Sequence, residues 1–123
     1  MKAAFHNIDC EAGADFKLRL KLANGSGQPT DLSDCTARMQ VREHVNAPAV
    51  LIELSTENGR IAMPAPGVIE LTISAADTAA LKAGISAPGF PVIGKCVYDL
   101  FLFSAEARPL LRGNFNIIAR VTR

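Results

Sequence analysis

The sequence predicts an all-β fold: an immunoglobulin-like antiparallel β-sandwich of about seven strands, with one short helix between two late strands. Three observations carry that reading. Leu111, Gly113, Phe115, Ile117, Ala119 and Val121 recur at period two, interleaved with Arg112, Asn114, Asn116, Arg120 and Thr122, the pattern of a long strand with one buried face. A second strict alternation sets Phe16, Leu18, Leu20 and Leu22 against Lys17, Arg19 and Lys21. Turn chemistry returns at intervals of about ten residues, and no alternation of strands with long helices announces a parallel sheet.

The elements follow in order. After the strand within Asp15 to Ala23, Asn24-Gly25-Ser26-Gly27-Gln28-Pro29 gathers residues that accept positive φ or preset a turn, so the chain reverses there. Cys35, Ala37, Met39 and Val41 alternate with Thr36, Arg38, Gln40 and Arg42 in a second amphipathic strand. Val50 to Ser55 is a short apolar run, and Asn58-Gly59 before Arg60-Ile61-Ala62-Met63 has the chemistry of a tight hairpin. Pro64-Ala65-Pro66-Gly67 turns the chain into a strand with Ile69, Leu71 and Ile73 on one face. The period then changes. Ser74 is suited to cap a helix of two or three turns with Asp77 three residues on, Ala79, Ala80 and Leu81 are good helix formers, and Gly84 fits the position just past the end. Lys95 to Ser104 returns to strand, with Tyr98, Leu100 and Leu102 on one face and Val97, Phe101 and Phe103 on the other, so it is central in a sheet or lies at an interface.

Length and composition describe a single domain, residues 1–123, with 49% hydrophobic and 20% charged residues, far from the composition of disordered chains. Thirteen Lys and Arg against twelve Asp and Glu leave a formal charge of +1, which supplies no field to gather nucleic acid or an anionic membrane surface, and neither is expected as a partner. The stretch from Met1 to Cys10 holds no apolar run of signal-peptide length, and no apolar stretch of membrane-spanning length follows, so synthesis and initial residence in the cytoplasm are expected.

Chemistry-bearing residues are few. Cys10, Cys35 and Cys96 are an odd number without a CxxC pair and are expected as free thiols in buried positions; a Cys35–Cys96 inter-sheet bridge is the alternative that a reducing compartment disfavours. His6 and Cys10, four apart, would share a strand face, but two ligands do not make a metal site. With two histidines, no G-x-S-x-G and no paired carboxylates, no catalytic constellation is assembled, and no cofactor is expected. Asp99, among Val97, Phe101 and Phe103, is a candidate for a buried carboxylate paired with Arg112 on the adjacent strand. Tyr98 is placed either as a tyrosine corner, its hydroxyl bonding to backbone before the strand, or as a plain core tyrosine. The Lys17, Arg19, Lys21 row reads as a solvated edge that resists pairing with other chains. Between Gly84 and Gly94 the loop is rich in breakers yet carries Ile85, Phe90, Val92 and Ile93, which must fold onto the protein's own core or dock into a neighbouring subunit. Together with Phe101 and Phe103 they are the candidate protein-contact residues; the rival reading uses the Ile85 to Ile93 loop to bind a small ligand or carbohydrate.

Gly13-Ala14-Asp15-Phe16, the run Gly27-Gln28-Pro29-Thr30-Asp31-Leu32 leading into Cys35 to Arg42, Tyr98-Asp99-Leu100, and Arg112-Gly113 before Val121-Thr122-Arg123 carry a resemblance. In order and spacing they resemble small proteins encoded in the structural regions of tailed phages and prophages, and the N-terminal domains of upper baseplate proteins. The pattern departs in the proline-rich Gly84 to Gly94 loop. The resemblance implies a non-enzymatic tail- or baseplate-associated adaptor that binds other phage structural proteins and copies of itself, first in the host cytoplasm and then in the virion. It brings no catalytic residues.

Overall fold

The computed structural model describes residues 3–85 and 89–122. Among the described residues, nine strands form two sheets. β1 (Ala4–Phe5), β2 (Ile8–Glu11), β4 (Thr36–Arg42), β5 (Ile52–Ser55), β8 (Val92–Phe103) and β9 (Ala107–Ile118) make the larger, in the order β1-β9-β8-β4-β5 with β2 also beside β9. β3 (Phe16–Lys21), β7 (Val68–Ile73) and β6 (Ile61–Ala62) make the smaller, in the order β3-β7-β6. This is an all-β immunoglobulin-like sandwich in which β5 extends the β9-β8-β4 sheet. Helix α1 (Ala75–Ala80) and a 3₁₀ turn at Leu81–Gly84 carry the chain from one sheet to the other.

The apolar rows meet between the sheets. Met39, Leu54, Ile69, Leu71, Leu100, Phe115 and Ile117 are fully buried, and the Phe115 ring packs edge-on against Tyr98 and tilted against Phe16, with centroids 6.4 and 6.1 Å away. Ser74 caps α1 as its sequence suggests, its Oγ accepting from the Asp77 N–H at 3.2 Å. β8 is central, between β4 and β9.

Several expectations are corrected. The N-terminal segment, which has no long alternation, forms β1 and β2, and both pair with β9 in parallel. Gly113 makes the crossing possible: a Cβ there would collide with the His6 carbonyl, so only glycine lets the chain pass so close. Asn58-Gly59 makes a turn fixed by Asn58 Oδ1, which accepts from the Ser55 and Arg60 N–H groups, but the turn joins β5 of one sheet to β6 of the other and is no hairpin. β9 starts earlier than its apolar row, at Ala107, and ends at Ile118, leaving Val121 exposed. Phe16, Leu18 and Leu20 point inward yet are only half-buried, because β3 is an edge strand with a neighbour on one side.

Candidate interaction surface

Strand alternation that buries one face of the larger sheet displays the other. Register sets the displayed side chains in rows across the strands. Phe5 stands opposite Arg112, Arg112 opposite Asp99, Asp99 opposite Gln40 and Gln40 opposite Glu53; beside this row Arg42 faces Val97, and Arg38 faces Phe101. Phe101 and Phe103, two apart on β8, stack at 6.1 Å with planes 25° apart, and the Arg38 guanidinium lies 5.4 Å from the centre of the Phe103 ring. Arg38 Nε is 3.7 Å from Glu53 Oε1, which also accepts from Gln40 Nε2 at 2.8 Å. Gln40 Oε1 in turn accepts from Arg42, whose other amino group donates to the Ala47 and Pro48 carbonyls at 2.7 and 3.2 Å. Both ends of the Arg38–Glu53 pair are about half exposed, so it contributes little stability; what the chain of contacts does is hold long side chains in one arrangement. Phe5, Gln40, Arg42, Val45, Val97, Asp99 and Arg112 border a shallow concavity of about 430 Å³, with Phe5 and Val45 exposed at its rim.

The six predicted contact residues separate into two groups at opposite ends of β8. Phe101 and Phe103 are the half-buried stack just described. Around the loop, Ile93 is buried and Ile85 half-buried against the core, Val92 is half-buried, and only Phe90 stands out, 73% exposed. Ser86, Ala87 and Pro88 lie outside the described residues. A concavity of about 290 Å³ lies beside the loop, lined by Ile85, Val92, Ile93 and Cys96 with Glu43 and Lys95.

The titratable candidates fall elsewhere than expected. Asp99 is exposed rather than buried, because Val97, Phe101 and Phe103 share its face of β8 and that face is the open one; Arg112 stands opposite it in register without closing an ion pair. Tyr98 is buried, and its hydroxyl donates to the His6 carbonyl at 2.6 Å, 92 residues upstream, so it pins the N-terminal segment rather than a local corner. Burial pushes its phenol up to about 12. His6 is exposed and Cys10 is fully buried, so they point apart, and among the described residues no three His, Cys, Asp or Glu are grouped to hold a metal. Cys35 and Cys96 are free thiols; the antiparallel β4–β8 register puts them at opposite ends of the pair, roughly 26 Å apart by strand rise and far beyond disulfide reach. Burial raises the Cys10 thiol to about 11 and raises Cys96 as well, keeping both protonated and unreactive.

Two ties, the first of them buried, had no periodic signal. Thr78, completely buried on α1, accepts from the Gly13 N–H at 3.0 Å and donates toward the Ala14 and Ala75 carbonyls, while Asp15 Oδ1 accepts from the Ala75 N–H at 2.8 Å. Arg60 donates to Asp77 Oδ2 at 2.8 Å, linking the start of β6 to the helix. The only hint of either is the Asp77-Thr78 dipeptide in the first helical turn.

No protein-family model matches the sequence, and no curated protein matches it. Among solved structures it is similar to voltage-gated sodium channel beta subunits described for multimeric cell-adhesive interactions, at 10% identity over 93% of this chain and 92% of that one, with a TM-score of 0.43. It is similar to a chain of the complex of ICOS with ICOS-L and an anti-ICOS-L VNAR domain, at 12% identity and TM-score 0.48, covering 96% of this chain but only 56% of that one. It is similar also to Tim-1, at 12% identity over 99% of both chains, with a TM-score of 0.44. At such identities these likenesses carry no binding partner over to this chain.

Proposed function

We propose that this protein is a non-enzymatic adaptor that binds other protein subunits, copies of itself included, through the open face of its larger sheet. The observation that carries the reading is the half-exposed Phe101–Phe103 stack with Arg38 over it, on the sheet face that also holds the concavity bordered by Phe5, Arg42, Val45 and Arg112. Aromatic residues and arginine are the types enriched at protein interfaces, and a side chain already held in place loses less entropy on docking. The turn and strand signals that resemble phage baseplate proteins support the finer reading, that the partner subunits belong to a phage or prophage particle. The small-ligand reading draws on the concavity beside the Ile85 to Ile93 loop, but Phe90, its one exposed aromatic ring, does not line it.

The test is light scattering on the eluting protein, with thermal melting alongside, for the native chain and a Phe103→Ser, Arg38→Ser variant. The expected result is an assembly larger than one chain that falls to monomer in the variant while its melting temperature holds. A variant of unchanged mass, or a native chain that stays monomeric at every concentration, overturns the role of this face in self-association. Tail or baseplate genes flanking the coding sequence are expected under the finer reading, and their absence counts against it.

A further inference from the structure

The smaller sheet ends where another strand fits. Because β1 and β2 both pair with β9, no described segment covers the free side of β3, a six-residue edge. The Leu22 N–H donates to the Gly67 carbonyl, and by antiparallel alternation Phe16, Leu18 and Leu20 bond to β7 while Lys17, Arg19 and Lys21 turn their backbone N–H and C=O groups to the open side. Inward, the missing cover is visible in burial: Ile69, Leu71 and Ile73 of β7 are at most 1% exposed, whereas the β3 residues opposite them are all half-buried. Outward, among the described residues, the row Lys17, Arg19, Lys21 meets a single acid, Glu70, 3.8 Å from Arg19.

We propose that β3 is a docking edge for an extended segment of another protein, one that alternates acidic residues on its outer side with apolar residues on its inner side, and that adds a fourth strand to the smaller sheet. The apolar side chains would complete the cover over Phe16, Leu18 and Leu20, and the acids would face the three cations. The same row rules out a second copy as the occupant. Antiparallel pairing of β3 with itself sets lysines and arginines against one another, so the charges that keep the edge from self-association also select the sign of its ligand. This edge lies on the other sheet from the proposed adaptor face, and neither proposal depends on the other.

The experiment uses the full chain and two blocked heptapeptides, one alternating glutamate with valine and the other lysine with valine, followed by amide hydrogen exchange and titration. In the free protein the Lys17, Arg19 and Lys21 amides are expected to exchange fast while those of Leu18 and Leu20 are protected; the glutamate peptide should protect the first set and bind at least about tenfold more tightly than the lysine peptide. A Lys17→Glu, Lys21→Glu variant, altered only at exposed positions, should melt like the native chain and reverse the preference. Slow exchange at all three odd-numbered amides in the free protein, equal binding of the two peptides, or no protection at millimolar-order peptide would each overturn the proposal. Binding to phosphatidylserine vesicles with no effect of either peptide would overturn it too, reassigning the row to a membrane surface.

Discussion

β3 and β9 carry the same alternating pattern, yet the two strands end in different environments. Phe115 and Ile117 of β9 are completely buried, while Phe16 and Leu20 of β3 are half-buried. The difference is neighbours: β9 lies between β8 and the N-terminal strands, and β3 has β7 alone. Their outward faces differ as well. The larger sheet displays phenylalanine and arginine tied into contacts with one another, and the smaller displays Lys17, Arg19 and Lys21 with one acidic partner. A period-two row thus announces which side chains share a face, and the strand order decides how deeply that face is covered.

The sharpest break of this contrast is truncation of the two rings. Phe115→Ala is expected to cost about 3–5 kcal/mol in denaturant unfolding, and Phe16→Ala about half as much, since less of the ring is buried to begin with. Equal costs would mean that β3 is covered as well as β9. Next in size is Thr78→Val, which keeps shape but leaves the Gly13 N–H and the Ala14 carbonyl without their partner; about 2–3 kcal/mol should be lost, and protection of the Gly13 amide with it. Tyr98→Phe removes only the bond to His6 and should cost about 1 kcal/mol, with faster amide exchange confined to β1 and β2 as the sign that the N-terminal segment has loosened. Phe103→Ser, on the open face, should change monomer stability by less than about 1 kcal/mol whatever it does to assembly.

The smallest effect is in pH. The Arg60 guanidinium beside Asp77, with the Ser74 hydroxyl, holds the Asp77 carboxyl below its ordinary value of 3.8. A carboxyl lowered in the folded protein adds stability that is fully present above that ordinary value and disappears as pH falls through the folded one. The melting difference between the native chain and Asp77→Asn should therefore be constant from neutral pH down to about 5 and close below 3.8. A gap that persists in acid would assign the contribution of Asp77 to its hydrogen bonds alone.

The candidate contact residues were legible to unequal degrees. Phe101 and Phe103 stand out because a strand with large apolar side chains on both faces cannot hide both in one core. Asp99 was not legible as an exposed group, since apolar neighbours at alternate positions show only that it shares their face, and that face is open. Arg38, Gln40, Arg42 and Glu53 were unremarkable in the sequence; their contacts depend on the β4–β5 and β4–β8 registers and on the fold of the loop that offers the Ala47 and Pro48 carbonyls. The loop of Ile85 to Ile93 divided, with Ile93 buried and Phe90 exposed, because the start of β8 pairs within it.

By itself the sequence determined the all-β class, the sandwich, the capped helix at Ser74 and the faces of β3, β4, β7, β8 and β9, because side-chain period and turn chemistry are local properties of the chain. Tertiary structure decided the rest: that β1 and β2 run parallel to β9, that Asn58-Gly59 links two sheets, that Tyr98 bonds to His6, and that β3 is left open. The physical reason is that these depend on contacts between segments up to about a hundred residues apart, and no local pattern records which strand arrives beside which.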